Sequence, residues 1–282
     1  MQQLLYGLAV VLIRTDRAAR LAEWYAGVLG LPIIRGREPT FYLSLGDTTV
    51  LELLADKGAP KESSVPWSQT PLYLVIDSLD LATTALRLRQ REAVYIEYEQ
   101  EGQKEIRLDD PDGNHICIRQ NPSARASSFR PACSPLPPDL VGLSGLVRIC
   151  ANAARAFEFY TEVVGLEVTA PLRKNKLLSL GQNIWFELRG DGKARTMPKK
   201  RGDVRISYIL RASNHNAASD LAAARGAPVV EKDLHFNSAS LSYFADPEGQ
   251  LWAIDERYHP ERYKIPRRPF AEDTEILRRL SH

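Results

Sequence analysis

The phrase Trp24-Tyr25-Ala26-Gly27-Val28-Leu29-Gly30-Leu31 returns as Phe159-Tyr160-Thr161-Glu162-Val163-Val164-Gly165-Leu166, 135 residues further on. No other feature constrains the chain as much. Val50-Leu51-Glu52-Leu53 is answered by Trp185-Phe186-Glu187-Leu188 at the same offset, and Asp110-Pro111-Asp112-Gly113-Asn114 by Asp246-Pro247-Glu248-Gly249-Gln250 at 136. Three phrases holding one register define a duplication, so any fold must be built twice.

Between the copies, Asn121 to Asp139 holds five prolines and four serines with no apolar period, which reads as an extended linker. The expected organisation is therefore 1–120, a linker over 121–140, a second copy over 141–257 and a tail over 258–282. In the tail, a short helix over Glu272–Leu280 is expected after three prolines.

Each copy divides again. Gly7–Arg14 is an aliphatic run that reads as a strand, and Asp16–Leu29 carries Leu21, Trp24, Tyr25 and Val28 at helical spacing, stopped by Gly30. Strands are expected at Pro32–Arg35, Phe41–Leu45 and Thr49–Leu54. The second half repeats the order with a strand at Leu72–Ile76, a helix over Leu79–Arg89, and strands at Val94–Tyr98, Lys104–Leu108 and His115–Arg119. The second copy follows suit: strand 143–149, helix 153–164, three strands to 188, strand 204–210, helix 216–225, three strands to 255. The class is α+β: four βαβββ modules paired into two domains.

Composition removes several functions. A net charge of +2 gives no global attraction for nucleic acid or an anionic membrane. The densest basic run, Lys193 to Arg205, lacks the interleaved aromatics that would stack on bases, and reads as a solvated loop. Leu4 to Ile13 has no charged leader and no cleavage site, so a core strand is expected there instead of a signal peptide. No run nears the ~18 apolar residues of a membrane span. Cys117, Cys133 and Cys150 lack paired spacing, which suits a reducing, cytoplasmic setting.

The aromatic-Tyr-x-x-Val-hydrophobic-Gly-Leu phrase and the Asp-Pro-Asp/Glu-Gly turn resemble those of the vicinal-oxygen-chelate superfamily, which includes glyoxalases, bleomycin-resistance proteins and extradiol dioxygenases. Leu143 through Ile149, continuing to Tyr160, is most similar to the opening of the C-terminal domain of two-domain extradiol ring-cleavage enzymes. The resemblance implies that each module pair forms a curved mixed sheet cupping a pocket. It also implies metal ligands on four inward strand positions, and in extradiol enzymes two His and one Glu holding Fe(II).

Carried onto this sequence, those ligand positions are Gly145, Ser207 and Ala253, none of which is a usable ligand. In the first copy they fall on Val10, Glu52, Pro71 or Leu72, and Cys117. A makeshift Glu52/His115/Cys117 site is conceivable, beside the plainer reading of Cys117 as a small buried hydrophobe. The expectation is a protein without metal or other cofactor.

His235-Phe236-Asn237 followed by Ser242-Tyr243-Phe244 resembles the family's second-shell His-x-Asn…Tyr segment, one residue shorter. The resemblance gives His235 and Tyr243 as acid–base groups, with Glu187, Arg205, Ser207 and Asn237 orienting a ligand in the room left by Gly145 and Ala253. The competing readings are a surface loop histidine, a half-buried tyrosine, a structural Glu187–Arg205 ion pair, and His215 as part of a helix cap.

Three functions remain open. One is metal-independent acid–base work on a small aromatic or phenolic ligand in the C-terminal pocket, and a second is a non-catalytic binder of the antibiotic-sequestering kind. The third is a metal-dependent dioxygenase or glyoxalase-type lyase with ligands elsewhere. Homo-oligomerisation is compatible with all three.

Overall fold

The computed structural model describes residues 5–46, 49–60, 67, 72–100, 102–122, 136–169, 176–181, 184–190, 197–236 and 239–255. Asn237, most of the linker and the whole tail, including the expected helix at Glu272–Leu280, lie outside the described residues.

The elements follow the expected order. The first copy runs β1 (Leu5–Thr15), α1 (Ala18–Trp24), β2 (Ile33–Arg37), β3 (Thr40–Ser44), β4 (Val50–Ala55), β5 (Leu72–Ser78), α2 (Leu81–Gln90), β6 (Tyr95–Gln100), β7 (Gln103–Asp109) and β8 (His115–Gln120). The second runs β9 (Leu140–Ile149), α3 (Ala153–Glu158), β10 (Lys176–Ser179), β11 (Trp185–Arg189), β12 (Ile206–Ala212), α4 (His215–Ala224), β13 (Val229–Phe236), β14 (Ala239–Ala245) and β15 (Leu251–Asp255). The strands make two mixed sheets, of eight and seven strands. Of the three strands expected between α3 and 188, the first survives among the described residues only as a single bridge, Val168 to Leu178.

Helices α1 and α3 do not end as regular helices. Each widens into a π-helical turn, Tyr25–Leu29 and Phe159–Val164. Gly30 (φ 76°) and Gly165 (φ 82°) then close the turn in the left-handed conformation that glycine adopts without a Cβ penalty. Leu31 N–H donates to the Tyr25 carbonyl and Leu166 N–H to that of Tyr160. The repeated Tyr-x-x-Val-hydrophobic-Gly-Leu phrase is thus the signature of this terminus. N-caps are supplied where the sequence offers Asx residues: Asp80 for α2, Asn152 for α3 and Asn214 for α4.

The chain divides into two compact units. One comprises residues 1–12, 66–72 and 145–263, and the other 13–65, 73–144 and 264–282. The division passes through the middle of β1 and of β9, so each unit takes part of a strand from the opposite copy.

In the unit holding 145–263, one sheet runs β13-β14-β15-β12-β1 and the other β10-β11-β9. β12 and β15 are parallel, β14 and β15 antiparallel. The core lies on the helix side: Phe244 stacks on Trp252 (4.9 Å), Trp252 meets Phe159 edge-on, and Phe186 packs on Tyr160 (4.9 Å).

In the unit holding 13–65 and 73–144, β4-β3-β2 forms one antiparallel group, while β5 runs parallel to β8 in the order β5-β8-β7-β6. Asp139 ties the linker's end down: its carboxylate accepts from Arg87 Nη2 (2.7 Å) and Thr84 Oγ1 (2.7 Å) on α2. Gly142 (φ 137°) lets β9 pass Leu45 and Gly46, since a Cβ there would stand 2.6 Å from the Leu45 carbonyl oxygen. Leu143 N–H then donates to that same oxygen (2.6 Å).

Candidate functional site

The inner face of β12–β15–β14 is defined by what the other face does. Tyr208 donates to Tyr160 at the end of α3, Ser242 bonds His215 on α4, and Phe244 and Trp252 fill the helix-side core. Alternation then sends Ser207, Ile209, Arg211, Tyr243, Ala253 and Asp255 to the opposite face. The register is tight: Ile209, Ala253 and Tyr243 stand abreast on three strands, and Arg211 stands beside Asp255. All six are buried, as is Arg205 at the entry to β12. Ser207 Oγ has no hydrogen-bond partner among the described residues, and a bare buried hydroxyl costs roughly 1–3 kcal/mol.

Four of the sequence-derived candidates, Arg205, Ser207, Tyr243 and Ala253, are therefore gathered on or at the edge of one sheet. Gly145 and Glu187 are not with them. Gly145 on β9 and Glu187 on β11 belong to the second sheet, where Trp185 pairs with Gly145 and Glu187 with Val147. The residues expected around one pocket are thus divided between two sheets. The strand beside β12 is β1, the strand of Val10, and not β9.

The room expected at Gly145 is also filled, because the Trp185 indole occupies the place a Cβ would take. Glu187 accepts from Arg189 Nε (2.7 Å), its neighbour two residues along, while its expected partner Arg205 precedes a strand of the other sheet. His235 lies on β13 with its backbone opposite Ser240, while Glu231 faces Tyr243 across the same strand pair. Asn237 lies outside the described residues.

The residues proposed for a makeshift metal site have other company. His115 Nδ1 bonds Asp109 Oδ1 (2.5 Å). The Cys117 thiol donates to Glu105 Oε2 (3.3 Å), and burial beside that carboxylate pushes its pKa upward. Glu52 accepts from Tyr42 Oη (3.4 Å). Among the described residues no three His, Cys, Asp or Glu side chains stand close enough to share a metal ion.

Sequence reasoning missed a buried polar chain in the same unit. Tyr208 Oη donates to Tyr160 Oη (2.7 Å), which donates to Asp246 Oδ2 (2.9 Å), and Arg148 Nε approaches the same oxygen (3.4 Å). Arg148 further donates to the carbonyls of Ile149 (2.7 Å) and Glu248 (3.2 Å). Burial works against the Arg148 cation, yet Asp246 beside it holds the guanidinium pKa above its ordinary value. Both tyrosine hydroxyls are pushed far up by burial and by the Asp246 charge, so they act only as neutral donors. His215, expected as part of a cap, is a buried partner of Ser242 Oγ (3.0 Å) through Nε2. A lone histidine beside two asparagines carried no signal of that burial.

Fold and site together define a tandem βαβββ protein whose inward strand positions carry few metal donors. Residues 7–118 match the family described as Glyoxalase/Bleomycin resistance protein/Dioxygenase superfamily, and residues 145–254 the Glyoxalase-like domain. The chain belongs to this superfamily. Among solved structures it resembles a candidate dioxygenase from Bacillus subtilis (18% identity over 98% of this chain and 97% of the other, TM-score 0.68). It likewise resembles glyoxalase I from Zea mays (14% identity over 97% and 95%, TM-score 0.66). At these identities the likeness speaks for the fold alone. No curated protein matches the sequence. No helix among the described residues is long and apolar enough to cross a membrane.

At the positions that the resemblance gives for a metal in the second copy, the described residues do not fit one. On the β12–β15 face its positions are Ser207 and Ala253, a hydroxyl and a methyl, and at Gly145 the space belongs to the Trp185 ring. A ring of soft or anionic donors, which a transition metal needs, is not assembled there.

Proposed function

We propose that this protein has lost the superfamily's metal chemistry and binds a small aromatic or phenolic molecule against the inner face of β12–β15–β14, working on it by metal-independent acid–base chemistry. The observation that carries this reading is the Ser207 hydroxyl, buried without a partner among the described residues on a face shared with Tyr243 and the small Ala253. A cleft with a few convergent polar groups over apolar residues is the usual form of a small-molecule site. Tyr243 Oη and Ser207 Oγ would hold the ligand's oxygens, Arg205 would favour an anionic substituent, and Ile209 and Leu241 would flank the ring. His235 stays in the proposal as a second acid–base group; its backbone lies opposite Ser240, three residues along β14 from Tyr243.

The test is titration with 4-hydroxybenzoate and related phenols by calorimetry, on wild type, Ser207→Ala and Tyr243→Phe. Each variant should weaken binding about tenfold, the worth of a single net hydrogen bond. Turnover of the bound phenol, lost in His235→Ala with binding retained, would mark an enzyme. Binding without turnover in wild type would make the protein a ligand-holding member instead. Stoichiometric tightly held iron, manganese, zinc or nickel whose removal abolishes activity would overturn the metal-free reading.

A further inference from the structure

We infer that the free edge of β6 is a self-association surface, on which a second copy of this chain pairs antiparallel about Ile96. Among the described residues β6 is the last strand of its sheet, so the edge turned away from β7 offers backbone donors and acceptors to another strand. Edge strands are ordinarily protected by short length, charge or proline, and Glu97 and Glu99 charge this one, yet beside them it presents exposed apolar side chains. Ile96 is 66% exposed and Tyr98 37%, at alternate positions of one face of β6, and Val94, the residue just before the strand, is 89% exposed; the Arg107 guanidinium lies over the Tyr98 ring at 3.8 Å. That face is opposite α2, because Tyr95 Oη and Glu97 Oε1, on the alternate positions, both accept from Arg89 of α2 (2.7 and 2.8 Å).

The register follows from the side chains. In a two-fold antiparallel pair, residues meeting across the seam share a face, so the axis must pass through a residue. An axis at Ile96 sets Ile96 against its own copy and Val94 against Tyr98, closing the exposed apolar row on itself. On the other face it sets Glu97 against Tyr95 of the second copy, on the side where Arg89 already bonds both residue types within its own chain. An axis at Glu97 would put two carboxylates directly opposite each other, which is unfavourable. An axis at Tyr95 would leave Tyr98 against Glu92 of the turn. Apolar match, the avoidance of facing carboxylates and the free edge thus select one arrangement.

The test uses the intact chain. Sedimentation equilibrium should show a reversible dimer for wild type and a monomer for Ile96→Lys, with unchanged circular dichroism, since the side chain is exposed. Val94→Lys should act in the same direction and guards against a folding defect in the first variant. Under mild oxidation Ile96→Cys should form an intermolecular disulfide, because the axis brings the residue to itself, while Glu97→Cys should not. A wild type that stays monomeric at its solubility limit, a dimer that survives both lysines, or equal cross-linking of the two cysteines overturns the proposal.

Discussion

The Tyr160 hydroxyl donates to Asp246 Oδ2 over 2.9 Å, and the same bond at the same length joins Tyr25 to Asp110 in the other copy. In both, Oδ1 of the aspartate accepts the backbone N–H two and four residues ahead, which folds the Asp-Pro-Asp/Glu-Gly turn around the carboxylate. The copies then diverge in how the buried charge is held. Arg148 stands near Asp246, whereas 135 residues earlier the chain carries the buried Ile13. Asp110 makes do with Tyr25, the Asn114 side chain (2.6 Å) and backbone donors, and its burial raises its pKa.

The first prediction exploits that difference. Asp246→Asn leaves the Arg148 cation buried without its carboxylate, and should cost about 3–5 kcal/mol. Arg148→Ile leaves Asp246 in surroundings like those Asp110 already tolerates, and should cost clearly less. Urea unfolding of the two variants decides it, and equal losses would mean the pair contributes as packing alone.

A second prediction concerns Gly145. Since the Trp185 ring covers that position, Gly145→Ala should destabilise by about 1–3 kcal/mol through overpacking. Trp185→Ala should absorb most of the cost when combined with it, giving a coupling energy well outside additivity. Additive losses would show that the ring can simply move aside.

These two sites show how much was legible. Helices, strands and the duplication could be read because a repeated phrase fixes its own register, and Tyr25/Tyr160 with Asp110/Asp246 are the physical reason the phrases repeat. Alternation on β12, β14 and β15 was also legible, which is why Ser207, Tyr243 and Ala253 do share a face. Strand adjacency was not. Because the two copies present similar first strands, β1 and β9, nothing in the sequence tells which of them lies beside β12. Gly145 and Glu187 accordingly lie in the other sheet from Ser207. Arg148 escaped notice for a related reason, since an arginine inside an aliphatic strand gives no periodic signal of its buried partner.

The third prediction is a pH dependence. Burial alone would raise the Asp139 pKa, but the Arg87 guanidinium and the Thr84 hydroxyl outweigh it and hold the carboxylate below its ordinary 3.8. A folded-state pKa below the unfolded one means that the native state binds its proton later. The stabilisation is therefore complete above the unfolded pKa and is lost as pH falls through the folded one. Asp139→Asn should lose on the order of 1.5–3 kcal/mol at pH 7, the worth of hydrogen bonds to a charged group. The gap to wild type should narrow on acidification below about pH 4. A gap that stays constant down to pH 2 would mean that the charge is irrelevant and only the shape of the side chain matters.

The last prediction asks whether the start of β9, just past Asp139, also needs its glycine. Gly142 sits at φ 137°, a conformation that side-chain-bearing residues rarely adopt, with the Leu45 carbonyl 2.6 Å from where a Cβ would be and the Gly46 Cα at 3.1 Å. Both neighbours are backbone, so neither can swing away as a side chain would. Gly142 is the third residue of β9, just past Asp139, and Leu143 N–H bonds the same Leu45 oxygen that crowds the glycine. Relaxing the clash therefore means breaking that bond and shifting the first residues of β9. Gly142→Ala should cost about 1–3 kcal/mol in backbone strain, more than Gly102→Ala, where φ is 79° but no atom stands within 4 Å. The comparison separates conformational strain, which both carry, from the close approach that only Gly142 has. Thermal denaturation of the two variants reads the difference directly. Equal shifts in Tm would show that the approach of β9 to Leu45 is soft, and that the glycine is required only for its dihedral.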